Sequence, residues 1–137
     1  MNARERIVSE IVQTEVFSVK ESDQLDSEQV IRLEWVQNIP VLDGTQLVGI
    51  VSSWDLVTAA LSKERENQPE QCGAMKCAID VKEIMTRKII TIDPDATLGE
   101  AAELMALHRI DCLPMVAPDG ALLGLLTKSD LIRATLL

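Results

Sequence analysis

Two stretches of this chain place a hydroxyl residue three positions ahead of an aspartate: Thr127-Lys128-Ser129-Asp130 near the end, and Ser52-Ser53-Trp54-Asp55 in the first half. An ionised carboxylate only accepts hydrogen bonds, so each Asp offers two oxygens to nearby N–H or O–H donors. At this spacing the first use is local. A hydroxyl at a helix N-cap and an acid at the third helical position satisfy one another's backbone N–H groups, a contribution of ~1 kcal/mol to the helix. Capping alone accounts for both pairs, but not for the longer phrase around them. GIVSSWDLVTAAL (residues 49–61) and GLLTKSDLIRATLL (residues 124–137) both read glycine, an apolar pair, a hydroxyl residue, two variable positions, Asp-Leu and an apolar run. Contact of the two aspartates with a ligand stays open beside the capping role.

The echo extends over most of the chain, and an internal repeat of this length sets the architecture. VSEIVQTEVFSVKESDQL (8–25) lies without a gap against VKEIMTRKIITIDPDATL (81–98), and VQNIPVLDGTQLVGIV answers IDCLPMVAPDGALLGLL, with Pro40 opposite Pro114 and Gly49 opposite Gly124. The expected organisation is a first repeat with its lead-in over 1–61, a polar linker over 62–80 and a second repeat over 81–137. VFSV and IITI are β-prone runs. TLGEAAELMALHR (97–109) predicts a helix that places Leu98, Ala101, Ala102, Leu104 and Met105 on one side, with Thr97 and Glu100 spaced as a capping box. CLPMV and ALLGLL predict a hairpin across the APDG turn, and the pattern turns helical again from Thr127. Each unit therefore reads as a short helical lead-in, strand, helix, strand, strand, helix. Its small sheet has one apolar face, which the second unit is expected to help cover about a pseudo-twofold axis. The fold class predicted is α+β in layers: two pseudo-symmetric repeats, each a small sheet packed against helices.

Composition narrows the function. With 137 residues, 47% hydrophobic but 2% aromatic, the chain can form one sizeable core or two small ones from Ile, Val, Leu, Met and Ala. The formal charge of −9 argues against nucleic acid or an anionic membrane surface as partner, since phosphate backbones require clustered Lys and Arg. No apolar run approaches the ~20 residues of a membrane span, and MNARERIVSE is too charged for a secretory signal. Three cysteines in no framework spacing agree with a reducing compartment, so the expected location is cytoplasmic.

V-x-E-I-M-T, I-T-I-D-P-D-A-T-L, E-A-A-x-L-M, L-P-M-V and G-L-L-T-K-S-D-L occur in this order, and the order resembles the CBS domain; the tandem pair resembles a Bateman module. The second repeat matches over its full length, whereas the first departs at Gln13 for Thr86 and Ser52 for Thr127. The resemblance implies a regulatory module that binds an adenine-containing ligand between repeats and acts on a partner protein. Its alternative is a ligand-free dimerisation or assembly scaffold. It further implies that a ribose is held by the T-x-x-D hydroxyl and carboxylate. By position, one set is Thr127 and Asp130 with Gln13, Phe17, Val36, Gln37 and Asn38. The other is Ser52 and Asp55 with Thr86, Ile90, Ile110, Asp111 and Cys112. The first is the stronger candidate, because the second set includes the charge of Asp111, which opposes an anionic ligand. Family members that bind nucleotides often carry Arg or His just before the L-P strand, and this chain has Asp111-Cys112 and Gln37-Asn38 there. AMP, adenosine or S-adenosylmethionine is accordingly expected rather than ATP, with cations available from Lys128, Arg133, His108 or Arg109. No required cofactor, no metal and no catalytic residue are expected, and a homodimer with an apolar helical interface is.

Other chemistry-bearing residues have simpler readings. Cys72 and Cys77 in QCGAMKC lack the four ligands that structural zinc normally takes, so they read as linker thiols rather than as a metal or redox site. His108 has neither a nucleophile nor a glycine-rich phosphate loop beside it, which leaves a base role unsupported. Trp35 and Trp54 read as packing residues.

Overall fold

A computed structural model describes residues 2–33, 36–66 and 78–136 of the chain. Trp35, Cys72 and Cys77 lie outside the described residues. Two 3-10 turns, Ala3–Glu5 and Val8–Glu10, precede β1 (Val19–Lys20), β2 (Gln24–Leu25) and α1 (Ser27–Arg32). Next come β3 (Asn38–Asp43), β4 (Gln46–Ser52) and α2 (Ser53–Glu66), and then β5 (Ile79–Asp80) and α3 (Val81–Ile84). The chain ends in α4 (Leu98–His108), β6 (Cys112–Val116), β7 (Leu122–Thr127) and α5 (Lys128–Leu136).

The expected signals act where the sequence put them. Thr97 caps α4 in a reciprocal box with Glu100, and Asp26 does the same for α1 with Gln29. β6 and β7 pair antiparallel across the Ala117–Ala121 turn, where Gly120 takes a φ of +92° that L side chains avoid. Two expectations shorten. Of residues 89–92 only Ile92 joins a sheet, by a parallel bridge to Met115, because Asp93 and the following turn carry the chain into α4 immediately. Of VFSV only Val19 lies in a strand, and Phe17 is 54% exposed. Ala102, expected on the buried side of α4, is exposed, since the buried track is the i, i+3, i+7 line of Leu98, Ala101 and Met105.

The chain condenses into two compact units that cut across the repeats. The first comprises Met1–Val16, Thr45–Leu47 and Ile90–Leu137; the second comprises Phe17–Gly44 and Val48–Ile89. Each repeat thus lends its lead-in to the unit built on the other repeat. In the first unit the Val8 N–H donates to Ala96 O at 2.8 Å, Leu98 N–H to Arg6 O at 2.8 Å and Leu125 N–H to Gln13 O at 3.1 Å. Gln13 is bridged antiparallel to β7, so the sheet runs from Gln13 through β7 and β6 to Ile92. The second unit repeats the plan, with Thr86 bridged to Ile50 of β4, followed by β3 and β1. Both glycines of the repeated phrase sit under these foreign lead-ins. A Cβ on Gly124 would lie 2.7 Å from the Gln13 carbonyl oxygen, and one on Gly49 would lie 2.8 Å from the Met85 sulfur.

Two cores result. Val8, Leu98, Ala101, Met105, Leu113, Met115 and Leu126 form one with Ile92, and Val19, Leu25, Ile39, Val41, Val51, Leu56, Val81 and Met85 form the other with Leu33. Val8 and Val81, equivalent lead-in residues, are wholly buried, each in the core of the unit it was lent to.

One backbone position departs from the usual choice. Arg109, which ends α4, holds φ +55° and ψ +46°, a left-handed conformation normally given to glycine. Arg109→Gly is expected to stabilise the protein by ~1 kcal/mol, because it removes the Cβ clash of that conformation. Urea unfolding of the two proteins checks this, and a loss of stability would refute it.

Candidate functional site

The Asp130 pair is built at the junction of β7 and α5. Asp130 Oδ2 accepts the Thr127 N–H at 2.9 Å and Thr127 Oγ1 accepts the Asp130 N–H at 3.2 Å, which is the capping box the spacing predicted. The other oxygen, Oδ1, accepts Gln13 Nε2–H at 3.3 Å and stands 3.6 Å from Arg133 Nη1. Asp130 is 5% exposed, so its charge is buried, and these three partners, Thr127, Gln13 and Arg133, all belong to its own unit. Strand pairing sets Cys112 directly opposite Thr127, and the Lys128 N–H donates to Asp111 O at 2.9 Å. Gln13, Asp111, Cys112, Thr127 and Asp130 are therefore neighbours in the first unit, where half-buried Ile90 and Ile110 pack against the core.

The Asp55 pair has the same cap and a different setting. Asp55 Oδ2 accepts the Ser52 N–H at 2.8 Å, and Ser52 Oγ accepts the Asp55 N–H at 3.1 Å. Asp55 is half-buried, and among the described residues no donor reaches its Oδ1. The Ser53 N–H donates to Gln37 O at 3.0 Å, which joins the start of α2 to the segment that leads into β3. Thr86 meets β4 through Ile50, with its N–H 2.8 Å from Ile50 O. Val36 packs on the core of this unit, and Phe17, Gln37 and Thr86 are exposed. Each set expected from the resemblance thus draws residues from both units.

Asp55 also lines a cleft of about 430 Å³ within the second unit. Thr58, Ala59 and Ser62 continue its wall along α2, and Ile79, Asp80, Glu83 and Ile84 close it from β5 and α3. A volume of this order is that of a small-molecule site. The sequence reading missed this wall, although Asp55, Thr58 and Ser62 stand at i, i+3 and i+7, one polar face of a helix. Trp54, expected to pack, is 75% exposed because it points off that helix on its solvent side.

Cys112 is the one free thiol among the described residues, and burial, followed by the charge of Asp111, pushes it from its ordinary 9.0 to about 11. The thiolate forms more readily in the unfolded chain, so stability is full below about pH 9 and is lost as pH rises towards about 11. We expect that loss to be absent in Cys112→Ala, as read by thermal melts across this window. Among the described residues no group of His, Cys, Asp and Glu is arranged to hold a metal ion, and no helix is long and apolar enough to cross a membrane.

These features define a tandem α+β repeat module in which each repeat carries a hydroxyl–carboxylate cap at the start of its last helix. The CBS domain model matches residues 8–62 and 81–137, and the chain belongs to the CBS domain family. It is 29% identical to the protein MJ1426 of Methanocaldococcus jannaschii, over 98% of this chain and 94% of that one. It is 34% identical to the inosine-5'-monophosphate dehydrogenase of Korarchaeum cryptofilum over 85% of this chain, but spans only 21% of that enzyme. Among solved structures it superposes on CBSX2 in complex with AMP with a TM-score of 0.75 and 26% identity, covering 96% of each chain.

Proposed function

We propose that this protein is a regulatory module that binds an adenine-containing small molecule beside Asp55 and passes the binding event to a partner protein, without catalysis of its own. The observation that carries the reading is the half-buried Asp55 carboxylate, which caps α2 with one oxygen while lining a cleft of about 430 Å³. A carboxylate so placed can accept from the two hydroxyls of a ribose, with Thr58 and Ser62 on the same wall of the cleft. The AMP bound by CBSX2 supports an adenine ligand class. The Thr127–Asp130 pair is read as a cap and a tether for Gln13, since both of its oxygens are engaged. We place the two functional repeats at 1–61 and 81–137, joined by a 62–80 linker, in the cytoplasm. A thermal-shift panel of adenosine, AMP, ADP, ATP and S-adenosylmethionine tests the proposal, because a ligand that binds only the folded state raises stability as RT ln(1 + [L]/Kd). Stabilisation by none of the five rejects it.

A second reading, a dimerisation scaffold, rests on the last helix of each repeat. Val57 and Leu61 on α2 are 47% and 54% exposed, and their repeat counterparts Ile132 and Leu136 on α5 are 52% and 77% exposed. With Trp54 these are apolar surfaces of the kind that chains bury on self-association. We expect sedimentation at micromolar concentration to give twice the 15.1 kDa chain mass. Trp54→Glu combined with Leu61→Glu is expected to return the monomer, and a wild-type monomer would exclude both the dimer and the scaffold.

A further inference from the structure

We propose that Asp43 is a site of spontaneous backbone modification, at which the chain rearranges to isoaspartate and loosens the tip of the first hairpin, whereas the matching Asp119 is held back by the fold. Asp-Gly occurs at Asp43-Gly44 and at Asp119-Gly120, equivalent places in the two repeats, at the end of β3 and in the β6–β7 turn. In such a pair the glycine nitrogen can attack the aspartate Cγ, because no Cβ shields it. An N–Cγ bond forms, the carboxyl hydroxyl and the amide proton leave as water, and a cyclic succinimide results. Water then adds to one of its two carbonyls. Opening at Cγ restores aspartate. Opening at the Asp43 backbone carbonyl breaks its bond to the Gly44 nitrogen and leaves the chain running through Cγ, longer by one methylene, with a free α-carboxylate. Only water enters and leaves, and the mass of the chain is unchanged.

Local geometry separates the two pairs. At Asp119 both reacting groups are engaged: Oδ1 accepts the Ala121 N–H at 3.0 Å, and the Gly120 N–H donates to Ala117 O at 2.9 Å. The space around Gly120 is also filled, since a Cβ there would lie 2.6 Å from Gln46 Oε1. Asp43 is exposed at a hollow it shares with Lys20, Glu21 and Lys82, and among the described residues no hydrogen bond or ion pair reaches its carboxylate. Among the same residues the Gly44 N–H has no acceptor, and a Cβ on Gly44 would meet nothing within 4 Å. Both the nucleophile and the carbon it attacks are therefore open, in a short turn where Gly44 holds φ +62°. The residues that follow carry the consequence. The Leu122 N–H donates to Thr45 O at 3.1 Å, the Leu47 N–H donates to Gly120 O at 3.2 Å, and Gln46 is bridged to Ala121. These segments belong to one compact unit, so an extra methylene at position 43 displaces a tip that the turn of the second repeat holds.

Peptide mapping with electron-based fragmentation, which tells isoaspartate from aspartate, tests the proposal on the full chain aged in warm neutral buffer. Isoaspartate is expected at position 43 at roughly tenfold or more the level at 119, because two hydrogen bonds must be given up at Asp119 and none at Asp43. The chain aged in guanidinium chloride is expected to form it at both positions to within about threefold, since glycine follows each aspartate and the fold no longer protects either. Asp43→Glu, whose longer side chain would have to close a larger ring, is expected to abolish the product at 43. Hydrogen exchange at the Leu47 and Leu122 amides is expected to quicken in the modified fraction and to stay slow in Asp43→Glu aged in parallel. Levels at 119 equal to or above those at 43 in the folded chain, or no product at 43, overturn the modification site. Isoaspartate at 43 with exchange unchanged overturns its effect on the hairpin tip.

Discussion

Gly124→Ala is expected to lower the stability of the folded chain by ~2–3 kcal/mol, although it adds a single methyl group to a strand. The added Cβ would stand 2.7 Å from the Gln13 carbonyl oxygen and 3.1 Å from a Val12 methyl, and the first of these belongs to a backbone with little room to move. That carbonyl accepts the Leu125 N–H, so relief of the clash requires the lead-in to lift off β7 and break the bond that holds it there. Val8, Ile11 and Val12 would then lose contact with the core of the unit they complete. The matched change Gly49→Ala meets the Met85 thioether first, at 2.8 Å, and a flexible methionine can swing aside, so ~1 kcal/mol is expected there. Chemical denaturation of the two variants measures the contrast. Equal and small losses would mean that the lead-in of the first repeat does not need its close approach to β7.

Asp55→Asn and Asp130→Asn are expected to separate function from stability. In the second case the amide replaces a buried carboxylate that holds Thr127, Gln13 and Arg133, so the fold should lose ~1–2 kcal/mol. In the first case the cap to Ser52 can survive and the side chain is only half-buried, so the stability loss should stay below ~1 kcal/mol. Ligand affinity should follow the opposite order. Loss of a charged acceptor for two hydroxyls at Asp55 is expected to weaken adenosine by ~1.5–3 kcal/mol, or more than tenfold, with little change at Asp130. Melting temperature and calorimetric affinity, measured on both variants, decide this. If adenosine is weakened by Asp130→Asn and unaffected by Asp55→Asn, the ligand site belongs to the second repeat.

What the two aspartates do could not be distinguished by their spacing, because the local chemistry of the pair is the same twice. Thr127 with Asp130 and Ser52 with Asp55 form the same cap, and short-range geometry along one chain is what a sequence states directly. The remaining oxygen differs through distant residues: Gln13 reaches Asp130 from 117 positions away, while Asp55 opens on β5 and α3. Repeat number, the β6–β7 hairpin, the Thr97 cap and most of the apolar face of α4 were legible for the same reason, since each rests on a period, a turn residue or a neighbour within a few positions. The resemblance drawn from those motifs also named the family. The exchange of lead-ins was hinted at only by the resemblance, which set Gln13 with Asp130 and Thr86 with Asp55; the residues themselves did not show it, nor the reason for Gly49 and Gly124, because no period in a sequence tells which repeat a short apolar segment will cover. That choice falls to the tertiary structure, where Val8 and Val81 each find full burial only against the other repeat's sheet.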